Sequence, residues 1–195
     1  MERDKAMRYC VSTLVLALLL PAARAGEAKE LESLWKDLAD ADASRAYAAM
    51  WAFVRRPDKS IAFFQTHLRP AVPPERKMVE QLIEELGHEK FAVRAKANGV
   101  LEKLGDLVAG PLHEALRREQ LVLEARQRVE KLIKGLRGPI TSPERLRAIR
   151  AVEAIEYIGT PEARKLLEQI TRGAAGARLT VEAQEALERL RTARP

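Results

Sequence analysis

The chain has 195 residues, enough for one domain or two at most, and 47% of them are apolar, so a packed core is available and wholesale disorder is excluded. Aromatic residues make up only 5% and charged residues 32%, with Ala, Leu, Glu and Arg dominant, a vocabulary of amphipathic helices rather than sheets. The net charge of +6 rests partly on the first 25 residues, which read as an address label.

Arg3, Lys5 and Arg8 precede twelve uncharged residues, Tyr9 to Leu20, and Pro21 ends that run. Ala23-Arg24-Ala25 then forms a small-x-small cleavage site before Gly26. This three-part layout is that of a secretory signal peptide. The apolar run falls short of the roughly 20 residues that a bilayer span needs. An uncleaved anchor is the competing reading, and Met7 could serve as the start. Export to the periplasm or cell envelope is expected, with cleavage after Ala25 and no stable membrane insertion afterwards. Cys10, the single cysteine, leaves with the peptide, so the mature chain has neither disulfide nor thiolate and depends on packing alone. The peptide carries four Lys/Arg against two Asp/Glu, so the net charge falls from +6 to +4. Such a balance is not the signature of a nucleic-acid binder.

The mature chain reads as helices in series. In the first, Gly26 to Asp40, the residues Leu31, Leu34, Trp35 and Leu38 share one face. Asp42 can cap the second, with Tyr47, Met50, Trp51 and Val54 as its stripe, and Pro57 stops it. Asp58 can cap a short third helix carrying Ile61, Phe64 and Leu68. Arg69 to Pro74 cannot be helical and marks the best internal boundary, dividing an N-terminal helical segment, 26–73, from a repeat domain, 74–195. The fourth helix places Met78, Leu82, Ile83 and Leu86 inward and ends on a left-handed Gly87. The fifth, Glu89 to Leu104, uses Phe91, Val93, Ala97, Val100, Leu101 and Leu104. A sixth follows Asp106, and a seventh spans Gln120 to Leu136. Gly138-Pro139 breaks the chain. Ser142 before Pro143 and Thr160 before Pro161 are matching start signals for the eighth and ninth helices. Gly173 to Gly176 reads as a loose turn, after which Thr180 caps the last helix.

An apolar-x-x-apolar-Gly ending recurs at Ile83–Gly87, Leu101–Gly105 and Ile155–Gly159. The segment Val93 to Leu116 has a Val-Arg opening, small residues on its packing face, a Leu-Gly-Asp corner and a Pro near the second helix. It resembles a HEAT repeat. Ala151 to Ile170, with its Ile-Gly-Thr-Pro-Glu-Ala corner, resembles the HEAT-like variant. These readings predict an all-α fold, a HEAT-like right-handed helical array (an α-solenoid) of about ten helices. The alternative is an irregular helical bundle.

The order of segments Leu34–Phe53, Val93–Gly105, Ser142–Arg164 and Gly176–Leu190 resembles the HEAT-like helical region that accompanies WD-repeat propellers in exported bacterial proteins. The propeller itself is absent, since the sequence has no Trp-Asp dipeptide and no blade-length repeat. The resemblance implies an interaction module and carries over no catalytic residue.

Motifs for chemistry are scarce. His67, His88 and His113 lack any metal-binding spacing to one another, and no nucleophile elbow or phosphate-cradling loop occurs. Asp37, Asp40 and Asp42 lack the Gly and the bidentate Glu of a calcium loop and read as helix caps. No catalytic residue, cofactor or metal is assigned. Trp35 and Trp51 read as core between the first two helices. Arg117 to Arg150 holds ten Lys/Arg against four Glu, and Arg128, Lys131 and Lys134 lie along neighbouring turns of one face. That face could meet an acidic protein, a lipid surface or a polyanion. The competing reading is a solvated face with pairs such as Glu130–Lys134. The function expected is therefore a non-catalytic protein–protein interaction or structural module with an acidic protein partner and no nucleic acid. The alternative is an accessory subunit of an envelope enzyme whose site a partner chain completes.

Overall fold

The structure, a computed structural model, describes residues 26–192, so the leader read at residues 1–25 lies outside the described residues. Local start signals set several of the boundaries. The Asp42 carboxylate accepts the Ser44 N–H and caps α2 (Ala43–Val54), which follows a first helix, α1, at residues 26–37. Pro57 does not simply stop α2. It occupies the first turn of α3 (Pro57–His67), where its missing N–H costs nothing. Helices α4 (Arg76–Glu85) and α5 (Phe91–Leu104) follow, then a 3-10 turn (Gly105–Val108), α6 (Ala109–Leu116) and α7 (Leu123–Leu136). Ser142 and Thr160 cap α8 (Pro143–Ile158) and α9 (Pro161–Ile170) through their hydroxyls, each with a proline next in line. The last helix is α10 (Arg178–Thr192). The fold is all-α, with no strand among the described residues. No described helix is long and apolar enough to cross a membrane.

Two apolar cores organise these helices. One gathers α1–α3 with α8–α10: Phe53 and Phe64 lie at its centre with rings 4.6 Å apart, joined by Ile155, Leu167 and Ile170. The other belongs to α4–α7 and holds Ile83, Leu86, Leu101, Leu112 and Val129. The chain leaves the first core after Leu68, builds the second, and returns at Ala151. Helix α8 is the hub, packed against α2, α3, α9 and α10. Ala151 and Ala154 on α8, with Ala49, Ala183 and Ala186 on its neighbours, are buried, and such small side chains let helix axes approach closely. Arg150 ties α8 to the end of α1, donating to the carbonyls of Leu38 and Asp40 at 2.7 and 2.9 Å.

Several expected helical faces are rotated. In α2 the buried residues are Ala46, Ala49, Met50 and Phe53, whereas Tyr47 is 61% exposed. Trp35 and Trp51 are half-buried rim residues. Trp35 packs on Phe63, Phe64 and His67, under the Arg147 guanidinium, and Trp51 lies beside Tyr47 and Tyr157. Val79 replaces Met78 on the inner side of α4, and Phe91 is exposed. Gly87 is not left-handed; a Cβ there would sit 2.5 Å from Val122 Cγ2, so it serves the close approach of the chain entering α7.

Candidate functional site

The two cores meet along a seam, and the seam opens into a cleft of about 650 Å³. Three contacts hold it. Ala174 N–H donates to the Ala71 carbonyl at 2.7 Å, Gly110 N–H donates to the Ala175 carbonyl at 2.9 Å, and the Asp106 carboxylate, in the turn after α5, binds Arg145 of α8 and Arg178 of α10. The stretch Gly173 to Gly176 is thus no loose turn. Ala174 and Ala177 are buried, and a Cβ on Gly110 would stand 2.6 Å from the Ala175 carbonyl oxygen, so backbone meets backbone here.

Asp106 is placed by the corner before it. Gly105 ends α5 at φ 59, ψ −134, a conformation open to glycine almost alone. The turn aims the Asp106 carboxylate at the start of α10, where it accepts the Arg178 N–H at 2.8 Å, while its other oxygen pairs with the Arg145 guanidinium at 3.1 Å. The residue expected to cap this helix, Thr180, lies inside α10 and is buried. The capping anion therefore comes from 72 positions earlier in the chain. Asp106→Ala should cost about 1–2 kcal/mol in urea denaturation, the usual loss of a helix cap, while Asp106→Asn, which keeps an acceptor oxygen, should lose less. Equal stability of the two variants would show that the cap contributes nothing.

The cleft floor is apolar, formed by Leu101, Leu112, Leu132, Leu136 and Leu179, and the connector Gly138 to Ser142 forms one wall. Its carboxylates are engaged. Glu102 accepts the Asn98 amide at 2.8 Å, and Glu144 accepts the Ser142 hydroxyl at 2.8 Å, which holds the Glu144 carboxyl below the usual carboxylate range. Asp106 is matched by Arg145.

The basic stretch divides into two populations. Arg118 pairs with Glu80, Arg126 donates to the Leu116 and Arg118 carbonyls, Arg147 covers Trp35, and Arg145 and Arg150 serve the contacts above. Arg128 is also committed. It donates to Glu124 at 3.0 Å, and Arg94 reaches the same carboxylate from α5 at 3.2 Å. The Glu124 carboxyl is held below its ordinary range, first by the Arg128 hydrogen bond and then by the Arg94 charge. Lys131, Lys134, Arg137 and Arg117 form no side-chain ion pair among the described residues, and the Glu130–Lys134 pair is not formed. Of the three cations singled out in the sequence, only Lys131 lines the cleft; Lys134 lies one turn further along α7, and Arg128 is spent on Glu124. The sequence offered a partial pointer to the cleft in its Leu-Gly-Asp corner and Gly138-Pro139 break. Nothing local marked Arg178 or Leu179 as its far wall.

The remaining candidates take structural places. Asp42 caps α2, and Asp40 accepts the Asp42 N–H and the Arg45 guanidinium. His67 stacks on Phe63 at 3.8 Å and meets Glu32, and His88 Nδ1 accepts the Lys90 N–H. No cluster of three potential metal ligands occurs among the described residues. Comparison with protein-family models, curated proteins and solved structures returns no match to this chain.

Proposed function

We propose that the protein is an exported, non-catalytic interaction module built from HEAT-like helical hairpins, whose protein partner docks in the cleft between its two cores. One observation carries this reading. An apolar cleft of about 650 Å³ has its own carboxylates hydrogen-bonded, while Lys131 and Lys134 on α7 and Arg137 at its C-cap form no ion pair among the described residues. Volume of this order suits a ligand or an inserted segment. The packing of α4 on α5, of α6 on α7, and of α8, α9 and α10 in turn supports the helical-hairpin reading, with the 3-10 turn bridging α5 and α6. Helix α2 also packs on α8, so the N-terminal helices join the C-terminal ones in one core.

Gly135 supplies the test. It lies within α7 and lines the cleft, and a Cβ there would meet nothing within 4 Å. Gly135→Trp should therefore fill the cleft without a clash, and replacing a helical glycine should, if anything, stabilise α7. Affinity capture with the mature protein from envelope fractions, followed by binding measurements on the recovered partner, should show at least about tenfold weaker binding for Gly135→Trp at unchanged helicity. Undiminished binding would move the partner to another surface.

A further inference from the structure

We propose that the occupant of the cleft is an extended acidic–apolar peptide segment of the partner, hydrogen-bonded through its backbone to the connector at Pro139–Thr141. The inference rests on the reading above and deepens it by naming what the cleft takes.

The first observation is a stretch of backbone with no partner. Pro139, Ile140 and Thr141 line the cleft and are neither helix nor turn. Among the described residues, no hydrogen bond reaches the N–H of Ile140 or Thr141, or the carbonyls of Pro139, Ile140 and Thr141. The neighbours are engaged: Gly138 accepts from Arg178, and Ser142 opens α8 with both its carbonyl and its hydroxyl. An unpaired run of N–H and C=O groups beside an apolar floor is a template on which a peptide can add as a strand. An added strand sends alternate side chains to opposite faces, so every second residue enters the leucine-lined floor and the others face outward.

The second observation is charge. Asp106 is paired with Arg145, and Glu102 and Glu144 accept only the neutral Asn98 amide and Ser142 hydroxyl, whereas Lys131 and Lys134 on α7 and Arg137 at its C-cap form no ion pair among the described residues and give this edge of the cleft its uncompensated positive charge. The outward residues of the peptide are therefore matched best by carboxylates. The third is backbone demand. A docked helix would leave the connector unpaired because its own backbone bonds are internal, whereas an extended segment has free N–H and C=O groups to offer.

The probes are fluorescein-labelled ten-residue peptides of alternating Leu and Glu, titrated with the mature protein at low salt and read by anisotropy. The parent peptide should bind. Of two versions N-methylated at the odd or at the even backbone nitrogens, one should bind about tenfold more weakly, as loss of one or two backbone bonds implies, and the other should bind like the parent. A peptide of alternating Leu and Lys should not bind, and Gly135→Trp should lose the Leu/Glu peptide. Equal binding of both methylated versions, or no binding of the parent at millimolar concentration, overturns the proposal. If Gly135→Trp still blocks the captured partner in either case, the cleft reading stands and only the extended acidic occupant falls. If Gly135→Trp leaves the captured partner bound, the cleft reading falls with it.

Discussion

Phe53→Ala is expected to destabilise the protein by about 3–5 kcal/mol, and to do so at helices a hundred positions away while sparing those in between. Phe53 is fully buried, with its ring 4.6 Å from that of Phe64 and 5.8 Å from that of Phe63. Truncation leaves a cavity that neither neighbour can fill, because both rings are themselves buried in the same core. That core includes Ile155, Leu167 and Ile170, so α8 to α10 lose packing along with α2 and α3. The α4–α7 core shares none of these residues. Native-state hydrogen exchange should show weakened protection in α2, α3 and α8–α10, with α4–α7 amides retaining most of theirs. A uniform loss along the chain would mean that the two cores open as one unit. Phe53→Leu, closer in volume, should cost less than half as much.

What the sequence disclosed and what it hid follow from the range of the interactions. Ser142-Pro143 and Thr160-Pro161 announce α8 and α9 correctly because a helix start is a local problem, solved by a hydroxyl and a fixed φ within three residues. The all-α class is legible for the same reason. The faces were harder. Helix α2 packs against both α3 and α8, and it buries Ala46, Ala49, Met50 and Phe53 where the chain comes closest. Its larger Tyr47 and Trp51 stack at the rim with Tyr157, a contact that needs α8 in place. Periodicity identifies a stripe but not the number of neighbours that cover it. The return of the chain from the second core to the first is similarly silent in any short window.

The same distinction governs the cleft. A count of Lys and Arg finds a positive stretch, yet it cannot tell a committed cation from a free one. Arg128 has its acceptor four residues away, a spacing that was visible, but the second claimant on Glu124 is Arg94 from another helix. Arg145 meets its acceptor, Asp106, only across the seam. The charge available to a partner is what remains after these long-range pairings, and it shifts the basic rim from Arg128 towards Arg137.

Leu101→Ala should cost about 2–5 kcal/mol in urea denaturation, whereas Glu102→Ala should stay within about 0.5 kcal/mol. Leu101 is 1% exposed in the α4–α7 core, and its neighbour Glu102 points to solvent with only the Asn98 amide as a partner. Leu104, expected on the same inner face, is half-buried because the 3-10 turn begins at Gly105 and carries the chain away from the α5 axis. Leu104→Ala should consequently fall between the other two. An effect at Glu102 as large as that at Leu101 would mean that α5 is rotated from the phase described here. Leu101 also forms part of the cleft floor, so its truncation enlarges the cleft as well as loosening the core. Weaker partner binding by Leu101→Ala could thus arise from either change. Gly135→Trp separates them, because it takes up space in the cleft without truncating any buried residue of that core.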